Sequence, residues 1–117
     1  MKRILIVEDE VLLAMHLEDL VAIMGHEVVG PANRVSQAIE LARTADIDFA
    51  VLDVNVAGSP SYPVADILRR RGIPFVFSTG YDAEGLDDGY RDEPVLNKPY
   101  EADDVQRAIS GAPIVQF

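Results

Sequence analysis

Phe49-Ala50-Val51-Leu52-Asp53-Val54-Asn55 is the stretch from which the fold can be read. Four apolar residues run into an acid, the pattern of a strand buried on both faces that ends at Asp53. A carboxylate at the end of a buried strand is costly to desolvate unless something pairs with it. Three other places in the chain are suited to meet it. Glu8 and Asp9 follow Ile4-Leu5-Ile6-Val7, Ser78 and Thr79 follow Phe75-Val76-Phe77, and Lys98 follows Val95-Leu96-Asn97. Each apolar run reads as a strand with polar residues at its C-terminal end. Open parallel α/β sheets bind ligands at that edge.

Outward from this stretch, strand and helix alternate. The first strand is expected over 3–7 and a helix over 10–24, with Leu13, Leu17, Leu20, Val21 and Met24 inward at helical spacing and Gly25 as its stop. A short second strand over 27–29 closes at Gly30-Pro31. Val35, Ala38, Ile39 and Ala42 mark a second helix. After Asp53, Ala57-Gly58-Ser59-Pro60 is turn chemistry. Ser61 is placed to cap a third helix with Pro63 in its first turn. That helix ends in Arg69-Arg70-Arg71-Gly72, cations suited to the negative end of the helix dipole. The fourth strand spans 75–77 and the fifth 95–97. The segment 81–92 has glycines at 85 and 89 and few apolar anchors, so one short, weakly supported helix is expected. A last helix over 102–110 buries Val105, Ala108 and Ile109 and stops at Gly111. The alternation predicts an α/β fold, a doubly wound five-stranded parallel sheet of order 2-1-3-4-5 with right-handed crossovers. Strands one and three are then neighbours, and Asp9 faces Asp53 across the switch point.

Composition narrows the function. The 117 residues fit one domain. No window is apolar enough to span a membrane and no apolar leader is visible, so a soluble cytoplasmic protein is expected. No cysteine is present, which excludes disulfides and thiolate chemistry. The net charge of −10, with no basic stripe, argues against nucleic acid as a partner. The acids are unevenly spread: Asp82, Glu84, Asp87, Asp88, Asp92 and Glu93 stand against Arg91 alone, a local charge of −5.

Two carboxylates about 4 Å apart repel by ~4 kcal/mol at an effective dielectric near 20. Glu8 beside Asp9 and Asp53 adds to this. Either one acid keeps its proton at neutral pH or a cation binds. Hard oxygen donors without His or Cys suit Mg²⁺. A cation so held gathers a phosphoryl group, Lys98 is a point charge for the same group, and the Thr79 hydroxyl can donate to another oxygen. Asp53 is then the nucleophile for in-line attack on phosphorus.

The set Val7-Glu8-Asp9-Glu10, Leu52-Asp53, Ser78-Thr79-Gly80 and Asn97-Lys98-Pro99 resembles the receiver domain of two-component response regulators, over essentially the whole chain. The resemblance implies a flavodoxin-like receiver fold in which a histidine kinase or a histidine phosphotransfer protein phosphorylates Asp53. It implies that Glu8, Asp9 and Asp53, with the backbone carbonyl of Asn55, hold Mg²⁺, and that Thr79 and Lys98 bind the phosphoryl oxygens. It also implies a cis peptide between Lys98 and Pro99. Residues 1–117 are expected to be one receiver without an output domain, a single-domain regulator that signals through a further protein or serves as a phosphate sink. It would not be an enzyme beyond its own phosphorylation and slow dephosphorylation. Pro74-Phe75-Val76-Phe77-Ser78-Thr79-Gly80-Tyr81 resembles the FATGUY subgroup of receivers, often linked to HWE-type histidine kinases. Ser78 stands where that subgroup has Ala. Receivers in general carry Tyr or Phe three residues before the lysine; here the residue is Val95.

Plainer readings exist: solvated acids at a helix start, a loop-capping Asp53, a surface Lys98, a turn residue Thr79, packed aromatics Tyr81 and Tyr100, and surface histidines His16 and His26. Two other functions stand beside phosphoryl signalling. One is a receiver-like scaffold that binds a partner without phosphorylation. The other is a Mg²⁺ phosphohydrolase, disfavoured because Asn55, not an acid, stands two residues past Asp53 and there is no room for a substrate cap. The first helix carries a second stripe, Leu12, Met15, His16, Asp19 and Ile23, expected to dock a helical kinase or phosphotransfer domain near Pro99 and Tyr100. With no aromatic at Val95, the response to phosphorylation is expected as a change of order in residues 80–92.

Overall fold

The computed structural model describes residues 1–80, 86–87, 89–98 and 100–111. Strands β1 (Arg3–Val7), β2 (Glu27–Ala32) and β3 (Phe49–Asp53) are followed by a hairpin of β4 (Asn55–Val56) and β5 (Ser59–Pro60), then by β6 (Phe75–Thr79) and β7 (Val95–Asn97). The helices among the described residues are α1 (Val11–Ile23), α2 (Val35–Thr44) and α3 (Tyr62–Arg71), each between strands, and α4 (Ala102–Ser110), which follows β7. The main sheet is parallel in the order β2-β1-β3-β6-β7, which is the expected 2-1-3-4-5 once the hairpin is set aside.

Both faces of the sheet are buried, and the pleat divides them. Leu5, Val7, Ala50, Leu52 and Phe77 pack with Ala38 and Ala42 of α2 and Val64, Ala65 and Leu68 of α3. Ile4, Ile6, Phe49, Val51 and Val76 point the other way, onto Leu17 and Val21 of α1 and Val105, Ala108 and Ile109 of α4. The inward face of α1 rests on Ala14, Leu17 and Val21, with Leu13, Leu20 and Met24 half-buried. α4 has the expected bounds because its ends are encoded locally. Glu101 and Asp104 form a reciprocal capping box, and Gly111 takes the left-handed conformation at the C-cap.

Several boundaries differ from the sequence reading. β2 does not stop at Gly30-Pro31 but runs through it to Ala32. The register against β1 shifts between Leu5 and Val7, and the Gly30–Pro31 peptide is cis. Gly30 has φ +94°, and a Cβ there would meet the Ala32 nitrogen at 2.8 Å, so only glycine fits this bulge. Pro31 is tolerated because β2 is an edge strand. β6 likewise runs two residues further than expected, to Thr79, because pairing with β7 continues to Thr79 opposite Asn97. Ser61 occupies the N-cap of α3, yet its side chain makes no capping bond; its hydroxyl is fully buried without a partner.

No helix forms among the described residues of 81–92. Leu86, Asp87 and 89–93 make bends and turns, with Tyr90 N–H donating to the Asp87 carbonyl and Glu93 N–H to that of Tyr90. Much of the expected helix, and of the expected order change, falls on 81–85 and 88, outside the described residues. The expected cis bond at Lys98–Pro99 also lies outside them. No described helix is long and apolar enough to cross a membrane.

Candidate functional site

The carboxyl ends of β1, β3, β6 and β7 meet at one edge. Glu8 N–H donates to the Ala32 carbonyl at 2.9 Å, so the far end of β2 fixes the backbone just beyond β1. β3 pairs with β6 as far as Asp53 opposite Ser78. Lys98 N–H donates to the Thr79 carbonyl at 2.9 Å, which ties the lysine to the end of β6. Glu8, Asp53 and Thr79 are buried and Asp9 and Lys98 are half-buried. A cleft of about 710 Å³ opens over them, lined by Asp9, Glu10, Asp53, Asn55, Thr79 and Lys98 among others. The structure thus brings together Glu8, Asp9, Asp53, Thr79 and Lys98, with Asn55 at the rim.

Carboxylate oxygens of Glu8, Asp9 and Asp53, one from each, lie within 4.8 Å of one another. Lys98 Nζ reaches into this group, 2.7 Å from Glu8 Oε1 and 3.4 Å from Asp53 Oδ2. Burial and the hydrogen bond and charge of Glu8 push the Asp53 carboxyl up to about 7, against a weaker downward pull from Lys98. Burial alone would lower the Lys98 ammonium. The hydrogen bond to Glu8 and the charges of Asp53 and Glu8 outweigh it, and the amine is held above its ordinary value. Asp9 goes the other way. Burial would raise it, but the backbone N–H of Ala57, its own N–H, and hydrogen bonds from Glu8 and Asp53 hold it below the usual carboxylate value.

The Ala57 contact was not legible in the sequence. Ala57 and Gly58 form the turn of the β4–β5 hairpin with φ 50° and 84°. That geometry points Ala57 N–H at Asp9 Oδ2, 2.9 Å away. The turn signal Ala57-Gly58 was visible; its target was not, because Asp9 lies 48 residues away. Glu10 lies at the cleft mouth, and its N–H donates to Glu8 Oε2 at 3.2 Å. Of the two hydroxyls that follow the apolar run of β6, only that of Thr79 reaches the site. The Ser78 hydroxyl is buried without a partner, whereas Thr79, one residue on, lines the cleft.

Tyr100 is buried as a packed aromatic, and burial with the nearby charges of Glu8 and Asp53 raises its hydroxyl. His16 is exposed and stacks on it, ring centroids 6.1 Å apart. His26 is half-buried rather than fully exposed, and its Nδ1 accepts the Lys2 N–H. Val95 is buried opposite Phe77. The aromatics sit elsewhere: Tyr62 and Tyr90 stack at 4.1 Å, both edge-on to Phe77. Arg69 covers Tyr90, 4.6 Å from its centroid, and pairs with Glu93.

The carboxylates fit a small divalent cation. Their oxygens converge within 4.8 Å of one another, and all are hard donors of the kind such an ion takes.

Comparison with known proteins agrees with this geometry. The family model described as "Response regulator receiver domain" matches residues 4–110. PhyR, the phyllosphere-induced regulator of Methylorubrum extorquens, is 37% identical over 114 residues, 93% of this chain and 42% of PhyR. PdtaR, a transcriptional regulatory protein of Mycobacterium tuberculosis, is 32% identical over 92% of this chain and 55% of its own length. The chain therefore spans about half the length of these curated relatives. The solution structure of SdrG from Sphingomonas melonis Fr1 superposes with a TM-score of 0.84 at 44% identity, covering 94% of both chains. Its BeF3-activated conformation superposes with a TM-score of 0.78 at the same identity, covering 92% of both. With its five-stranded sheet, its acidic edge and its matched length, this chain belongs to the response regulator receiver domain family.

Proposed function

We propose that this receiver accepts a phosphoryl group on Asp53 from the phosphohistidine of a histidine kinase, the HWE type included, or of a histidine phosphotransfer protein. The observation that carries the reading is Lys98 Nζ set between Glu8 and Asp53 at the edge where three carboxylates converge. Glu8, Asp9 and Asp53, with the backbone carbonyl of Asn55, would hold Mg²⁺. When bound, that ion neutralises phosphoryl oxygens and favours the ionised form of its ligands.

The chain's own residues supply the rest. An Asp53 oxygen attacks phosphorus in line. The new O–P bond forms as the P–N bond of phosphohistidine breaks, and the imidazole nitrogen leaves with the electron pair and takes up a proton. Lys98, charged across the physiological range, shifts from the carboxylates to the arriving phosphoryl oxygens. Thr79 offers its hydroxyl to another of them. SdrG has a BeF3-activated conformation, and trifluoroberyllate has the shape and charge of a phosphoryl group, which supports the same reading here.

The surface expected to dock the donor is free to do so. Leu12 and Met15, at the start of α1 nearest the site, are 81% and 53% exposed, and His16 beside them stacks on Tyr100. Output would pass through a further protein, or the chain would act as a phosphate sink. Incubation with acetyl phosphate and Mg²⁺, followed by intact mass measurement, tests the proposal. One added phosphoryl group is expected, lost with EDTA and lost in Asp53→Asn. Equal uptake by Asp53→Asn would overturn the assignment, and no uptake by the parent would favour the phosphorylation-independent scaffold.

A further inference from the structure

A second cleft, sharing no lining residue with the first, lies between α2 and α3 on the sheet face opposite α1. It encloses about 640 Å³. Ile39 and Arg43 line it from α2, four residues apart. Pro63, Asp66, Ile67 and Arg70 line it from α3 at spacings of three, four and seven, a single helical stripe. Ile39 and Ile67 are half-buried and form an apolar floor with Pro63.

The rim is basic in a chain of net charge −10. Arg43, Arg70 and Arg71 face one carboxylate, Asp66, and that carboxylate already accepts the Tyr90 hydroxyl at 2.8 Å. Arg71 is held in place: its Nη1 donates to the Ala42 and Ala45 carbonyls at 2.6 and 3.0 Å. Arg43 has only a loose, exposed pairing with Glu40 at 3.7 Å. Among the described residues no hydrogen bond or ion pair holds Arg70. Cations at the end of α3 were expected to serve the helix dipole. That accounts for their position in the helix, but not for their convergence with Arg43 of α2 on an apolar floor.

We propose that this cleft is a docking site for an acidic amphipathic segment of a protein partner, its apolar side chains on Ile39, Pro63 and Ile67 and its carboxylates on Arg43, Arg70 and Arg71. Charge complementarity favours that occupant. An apolar floor rimmed by guanidiniums matches a helix that alternates aliphatic and acidic residues. Nucleic acid brings phosphates but no aliphatic knobs to fill the apolar floor. The cleft shares no residue with the phosphoryl site or the α1 stripe, so a partner here can bind while either is engaged.

The test uses the full chain, ¹⁵N-labelled, and two peptides: an amphipathic helix with leucines on one face and glutamates on the other, and its lysine counterpart. Binding of the glutamate peptide should shift the amides of Ile39, Arg43, Ile67 and Arg70 and weaken as salt is raised. Arg43→Glu with Arg70→Glu should lower its affinity at least tenfold. Arg43→Gln with Arg70→Gln, which avoids new like-charge pairs, should lower it less. Asp53→Asn should leave it unchanged, which separates this inference from the phosphoryl reading. Equal binding of the lysine peptide, unchanged affinity in both double variants, shifts centred on Leu12 and Met15, or preference for a single-stranded oligonucleotide would each overturn it.

Discussion

Lys98 Nζ lies closer to Glu8 than to Asp53, 2.7 Å against 3.4 Å. The cation's first partner is therefore the acid beyond β1, and Asp53 is left with a desolvated carboxylate facing a second acid. Removing the Glu8 charge should reverse this preference. In Glu8→Gln the Asp53 titration midpoint, about 7 in the parent, is expected to fall by about one unit or more as Lys98 turns to it. Carboxyl ¹³C NMR against pH in metal-free buffer measures it. An unchanged midpoint would leave burial as the sole cause.

The same carboxyl sets a pH dependence of stability. Unfolded, Asp53 ionises near 3.8; folded, it keeps its proton up to about 7. Between those values the folded chain binds the extra proton, so this group's contribution to stability falls as pH rises and is fully lost above about 7. Asp53→Asn removes the penalty. In EDTA it should be more stable than the parent at pH 8 by about 1–3 kcal/mol, with the difference vanishing near pH 4. Urea denaturation at the two pH values checks the sign.

Ser78 has a fully buried hydroxyl with no partner. Ser78→Ala removes an unpaid desolvation cost and should stabilise the chain by about 1 kcal/mol. Phosphoryl uptake should be retained, since Thr79 rather than Ser78 lines the cleft. A loss of stability on thermal unfolding would mean that the hydroxyl finds a partner in solution.

Leu12 and Met15 are exposed and support no core. Leu12→Glu and Met15→Glu should change stability by less than about 0.5 kcal/mol. Uptake from acetyl phosphate should be unaffected, while transfer from a phosphorylated kinase slows at least tenfold. Equal slowing with both donors would point to damage at the site rather than at the docking surface.

Tyr90 packs on Tyr62 and Phe77, lies under Arg69 and donates to Asp66. Tyr90→Phe keeps the rings and loses one hydrogen bond, and should cost about 1 kcal/mol. Tyr90→Ala should cost about 2–4 kcal/mol. Urea denaturation of the two variants separates ring packing from the hydroxyl.

What the amino-acid sequence determined by itself is local or repeats along the chain. The alternation of apolar runs and amphipathic stretches defined the parallel sheet, and its order is the common doubly wound one for five strands. The acids and the lysine at strand ends defined one chemical edge. Glu101, Asp104 and Gly111 wrote both ends of α4 within one short local stretch. What only the tertiary structure decided depends on groups far apart in sequence. β2 continues through Gly30-Pro31 because β1 is there to pair with it. Ser61 sits at a cap position but the folded chain presents its hydroxyl with no partner. Asp9 is fixed by Ala57 N–H, and the terminal arginines of α3 are divided among Glu93, Tyr90, the carbonyls of Ala42 and Ala45, and an open cleft. Periodicity and capping act over one or two turns of chain and can be read in order. Strand length, hydrogen-bond partners and the choice of Lys98 between two acids follow from packing and desolvation, which exist only once the strands lie side by side.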